Sequence, residues 1–119
     1  MQLKTCLFAA CFLPLLAAPA QAAETIVYDV AHVRLQDVNL VIVKISPNFF
    51  NSDAPIQAKW YTAVKSCMRA SRLNGEAVAV GDFQNRFNYY GPNSVKLLVS
   101  TLNMKWVNAR INKKVTCNY

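Results

Sequence analysis

Two cysteines fifty positions apart, Cys67 and Cys117, restrict this 119-residue chain more than any other feature. Cys67 lies in residues 52–75, SDAPIQAKWYTAVKSCMRASRLNG. There Ile56, Trp60, Ala63, Cys67 and Ala70, with Val64 beside them, recur at the three- and four-residue spacing of an amphipathic helix. Ser52 or Asp53 can cap the first turn, Pro55 suits a helix start, and Asn74-Gly75 offers a left-handed stop. Cys117 lies in residues 105–117, which alternate. Val107, Ala109, Ile111, Val115 and Cys117 share one parity, and Trp106, Asn108, Arg110, Asn112 and Lys114 the other, so we expect one long strand. Each cysteine thus sits on the apolar side of its element. A Cys67–Cys117 disulfide would staple the helix to the last strand.

The compartment agrees with that pairing. Residues 1–22 carry Lys4, the apolar run CLFAACFLPLLAA and an Ala20-Gln21-Ala22 cleavage motif, the pattern of a signal peptide. Its removal takes Cys6 and Cys11 with it and leaves residues 23–119 as one small domain, exported to the periplasm or secreted, where paired thiols oxidise.

Residues 25–35 (TIVYDVAHVRL) have strand composition, Gln36-Asp37 can turn the chain, and VNLVIVKI (residues 38–45) is a continuous apolar run suggesting a central strand buried on both faces. Residues 76–80 read as another strand, Gly81-Asp82 as a turn or bulge, and residues 83–90 as a strand or hairpin arm. After the Gly91-Pro92 break, Val95, Leu98, Val99 and Leu102 match a second helix. The expected fold is α+β: a mixed or antiparallel sheet of four or five strands in the order β-β-α-β-(β)-α-β. Both helices would pack on one face, with the other face open for binding.

Chemistry is sparsely signalled. Phosphate-cradling glycine motifs, nucleophile elbows and metal-spaced His/Cys clusters are lacking, so neither cofactor nor metal is expected. Charge is more informative. Residues 54–119 hold ten Lys or Arg against Glu76 and Asp82, whereas residues 23–53 carry Arg34 and Lys44 against four acids. Such a one-signed half attracts an acidic protein or an anionic polymer, glycan or nucleic acid. Candidate contacts are Arg86, Tyr89, Tyr90, Trp106, Arg110 and Lys114, with the cationic helix row Lys65, Arg69 and Arg72. The leading expectation is an exported, non-catalytic binding protein, of which an inhibitor or immunity-type protein is one form. The alternative is a small secreted ribonuclease using His32 and Glu76 for proton transfer and Arg110 on the phosphate.

Overall fold

The computed structural model describes residues 24–119; the expected signal peptide lies outside the described residues. Five strands form one mixed sheet: β1 (Thr25–Leu35), β2 (Val38–Lys44), β3 (Glu76–Phe83), β4 (Arg86–Tyr90) and β5 (Lys113–Asn118). Their spatial order is β4-β3-β2-β1-β5. All neighbours are antiparallel except β2 and β3, which are parallel. Parallel partners need a crossover. Helix α1 (Ala54–Ala70) supplies it, preceded by a 3-10 turn at Pro47–Asn51.

Helix α1 is shorter than the sequence suggests, and its buried stripe is rotated. Val64 and Met68 are buried, while Ile56 is 45% exposed and Ala70 faces solvent. The stop also differs. Arg72, not Asn74-Gly75, takes the left-handed conformation (φ 65), with Arg72 N–H donating to the Arg69 carbonyl and Leu73 N–H to that of Met68. That is a Schellman motif, and its apolar contact is Leu73 buried in the same cluster as Met68.

Both tight hairpins have positive φ at their two central residues, Gln36-Asp37 and Gln84-Asn85, as a type I′ turn requires. The second turn therefore falls after Gly81-Asp82. Gly81 lies buried inside β3, where a Cβ would come within 2.9 Å of the Phe50 ring. Neither central pair is the Asn-Gly that such turns favour. Replacing Gln84-Asn85 with Asn-Gly is expected to stabilise the chain by about 1 kcal/mol, read as a higher urea midpoint at unchanged slope.

The two helical regions cover opposite faces, not one. Helix α1 buries Val64 and Met68 against Val30, Val41, Val43 and Cys117. On the other face, Val95, Val99 and Val107 pack on Ala31, Ile42, Val78 and Val80. Connectivity explains it: β4 and β5 are the two sheet edges, so the chain between them must cross the sheet, and α1 already occupies the first face. This crossing segment is broken helix: a 3-10 turn (Asn93–Val95), α2 (Lys96–Val99) and α3 (Met104–Asn108). Ser100 and Thr101 hydroxyls donate back to the Leu97 and Leu98 carbonyls, which ends α2. The expected long strand over residues 105–117 is thus helix at 105–108 and turn or irregular chain at 109–112. Asn103 caps α3 by accepting from Trp106 N–H (2.8 Å), and Met104, Val107 and Ile111 face the core at helical spacing. Only residues 113–118 remain strand.

The Cys67–Cys117 disulfide joins α1 to β5, as expected. On the second face, a strip along β1 and β5 stays open: Val27 is 57% exposed, and Lys114 pairs with Asp29 at 2.6 Å.

Candidate functional site

Of the residues singled out by sequence, Trp106 and Arg110 are brought together most closely. Four positions apart across α3 and its C-terminal turn, they meet on one side of the helix. The Arg110 guanidinium lies 4.0 Å from the Trp106 ring centroid and donates to the Trp106 carbonyl oxygen at 3.2 Å. Trp106 is half-buried against the second core cluster and Arg110 is exposed. A guanidinium laid on an indole keeps its charge and its in-plane donors for a planar anion, and the ring holds its orientation. The same segment carries Lys96 and Lys105, and Leu97 is 86% exposed beside Lys96. No acidic residue follows Asp82, so this segment itself carries positive charge with apolar interruptions.

The other candidates divide between the faces. Tyr89 packs against the same core as Trp106, its ring 6.2 Å from that of Phe87. Tyr90 points the opposite way, its ring 5.1 Å from Tyr61 and 5.4 Å from Phe49. Arg86 is exposed at the start of β4. Lys65 lies over the Tyr61 ring at 5.9 Å, and Arg69 is close enough to influence the Tyr61 phenol. That phenol donates to the Ala77 carbonyl, and burial pushes its pKa up. Lys65 therefore belongs to an aromatic group on the α1 side, away from Trp106 and Arg110, and Arg69 is exposed on the same helix. Arg72 is held in the helix stop. Lys114 is engaged with Asp29, and its hydrogen bond holds that carboxyl below its ordinary range.

The proton-transfer set is not assembled. His32 Nε2 is 2.9 Å from the Asn74 carbonyl oxygen, which accepts from it in the tautomer protonated at that nitrogen. His32 is also fixed through its backbone: His32 N–H donates to Asn112 Oδ1, and Asn112 Nδ2 donates to the His32 carbonyl. The side chain of Asn112 thereby continues the β1–β5 ladder. Sheet register gives Glu76 the opposite parity to His32, two strands away, and Arg110 is bound to Trp106. Among the described residues, no group of three or more His, Cys, Asp or Glu could hold a metal ion.

Two hollows escaped the sequence reading. One, of about 200 Å³, lies under the start of α1 and is lined by Ile26, Tyr28, Ile45, Phe49 and Trp60, with Glu24 at its border. Burial pushes the Tyr28 phenol well above its ordinary pKa, and its hydroxyl lies 3.2 Å from that of Tyr119. The other is an open groove of about 500 Å³ between α1 and β5. Nothing in the residues marks β5 as a sheet edge, so the groove has no sequence signature. No family model, curated protein or solved structure matches the chain.

Proposed function

We propose that this chain is an exported, non-catalytic binding protein that recognises an acidic partner through basic side chains set on aromatic rings. The observation that carries the reading is the Arg110 guanidinium 4.0 Å over Trp106, on a surface segment with Lys96 and Lys105 and no acidic residue. Among the described residues no acidic side chain pairs with Arg110, which leaves the cation ready for carboxylates. Export rests on the N-terminal signal pattern together with the disulfide. No helix of the described residues is long and apolar enough to cross a membrane.

The test is retention of acidic proteins from envelope extract on the immobilised oxidised chain, followed by titration of the purified partner. Arg110 is exposed, so Arg110→Ala leaves the fold intact. It is expected to weaken binding about tenfold or more, and Arg110→Lys recovers only part, because ammonium neither stacks nor forks as guanidinium does. His32→Ala leaves affinity unchanged. RNA hydrolysis that disappears in His32→Ala would replace this reading with the ribonuclease one.

A further inference from the structure

Strand β5 is an edge of the sheet, and its hydrogen bonding can be assigned residue by residue. Glu24 and Tyr119 exchange both backbone hydrogen bonds, N–H to carbonyl, at 2.9 and 2.7 Å. In an antiparallel ladder such pairs alternate with non-bonded ones. With Ile26 opposite Cys117 and Tyr28 opposite Val115, the odd-numbered residues of β5 bond to β1. The backbone N–H and C=O groups of Lys114, Thr116 and Asn118 therefore point away from the sheet. Among the described residues, no strand covers them.

An uncovered edge is a template for another strand. Here it is not flat against solvent. Helix α1 runs beside it, from Trp60 near Tyr119 to Cys67 bonded to Cys117. Between them lies the groove of about 500 Å³, walled on the helix side by Ala63, Ser66 and Ala70 and on the strand side by Thr116 and Asn118. An added strand sits about 4.8 Å from its neighbour; the facing helix side chains are short, and Cys67 Sγ is the one that comes up to the edge, 3.9 Å from the Thr116 carbonyl oxygen. Cations flank these walls along the chain. Lys59 stands one turn before Ala63, Arg72 follows Ser71, and Lys113 opens β5; all three are exposed. No acidic residue lines it, and the nearby Asp29 is held by Lys114.

We propose that the free edge of β5, with the groove beside α1, captures an extended acidic segment of a partner protein by strand addition. The proposal deepens and rests on the acidic-partner reading. Main-chain hydrogen bonds to Lys114, Thr116 and Asn118 supply affinity, and Lys59, Arg72 and Lys113 select carboxylate side chains. A second copy of this chain is disfavoured on this edge, because it would bring two strongly basic molecules together.

The test uses the oxidised chain with short peptides of alternating Glu-Val or Lys-Val, and a Glu-Val peptide N-methylated at every second residue. The Glu-Val peptide is expected to bind and to slow amide exchange at Lys114, Thr116 and Asn118 by about tenfold or more, with Val115 and Cys117 unchanged. The Lys-Val peptide should not bind, and N-methylation should weaken binding by about tenfold or more. Thr116→Pro, which removes an outward N–H and no ladder hydrogen bond to β1, should do the same while leaving the circular dichroism unchanged. If the Glu-Val peptide binds without protecting those amides, or N-methylation makes no difference, strand addition is wrong and the acidic-partner reading stands. If the peptide fails while an acidic protein is still retained through Arg110, strand addition alone falls. Absence of binding to every anionic probe overturns both. A dimer in sedimentation that Thr116→Pro dissolves would assign the edge to a second copy and overturn the proposal.

Discussion

Reduction of the Cys67–Cys117 disulfide is expected to lower stability by about 4 kcal/mol, the loop-closure entropy of a cross-link spanning fifty residues. For a domain of this size that corresponds to a fall of roughly 20 °C in the thermal midpoint. A large effect is also expected on packing grounds. The bond ties α1 to β5, the strand that closes the sheet on the β1 side, and Cys117 is 1% exposed within the first core cluster. Calorimetry of the oxidised chain with and without reductant measures it, and a Cys67→Ala/Cys117→Ala variant separates cross-linking from reductant effects. A shift equivalent to less than about 1 kcal/mol would show that the unfolded chain is already compact between these positions. If the reduced chain stays folded, the Trp106–Arg110 surface should persist, because it lies on the face that α1 does not touch.

Gly75→Ala is expected to cost about 3 kcal/mol or more, because two independent penalties coincide. Gly75 has φ +140, a region that side-chain-bearing residues rarely enter. A Cβ there would also sit 2.6 Å from the Asn39 carbonyl oxygen, which is backbone and cannot swing aside. The position matters because the chain passes here from α1 into β3, whose pairing with β2 begins at Glu76 opposite Leu40. Asn74, one residue earlier, supplies the carbonyl that holds His32. Urea unfolding at matched slope reads the loss. A cost under about 1 kcal/mol would mean that the loop relaxes and that the close approach to β2 does not constrain it. In that event His32 should also change partner, visible as a shifted imidazole resonance.

These two sites differ in how visible they are to sequence reasoning. The disulfide is readable because the signal-peptide pattern, an even cysteine count and the apolar placement of both cysteines agree. Gly75 was visible only as a helix stop. Its actual role is to allow contact with Asn39, thirty-six positions earlier, which no local pattern encodes. The stop itself falls to Arg72, a residue with no preference for the left-handed region, held there by the Leu73 contact with Met68 and the two Schellman hydrogen bonds.

The departure from strand over residues 105–112 has a similar cause. Val107 and Ile111 satisfy both a period of two and, with Met104, a period near three and a half. Alternation was the better match over the longer window. The Asn103 cap and packing across the second face decide for helix, and they place Trp106 beside Arg110. The expectation of an open second face conflicted with the chain's own evidence. The run VNLVIVKI already called for burial on both sides, and Leu40 and Ile42 on one face, with Val41 and Val43 on the other, are all buried.

Residue order alone determines the α+β class, the central β2 strand, the crossover helix, the stapled cysteines and the cationic C-terminal half, because these rest on local periodicity and composition. Which strands lie at the sheet edges, which face each helix covers and which cations share a surface are decided only by the tertiary structure. Those are outcomes of long-range pairing: β5 adds beside β1 rather than β4, so the chain must cross the second face, and that crossing creates both the Trp106–Arg110 surface and the uncovered edge.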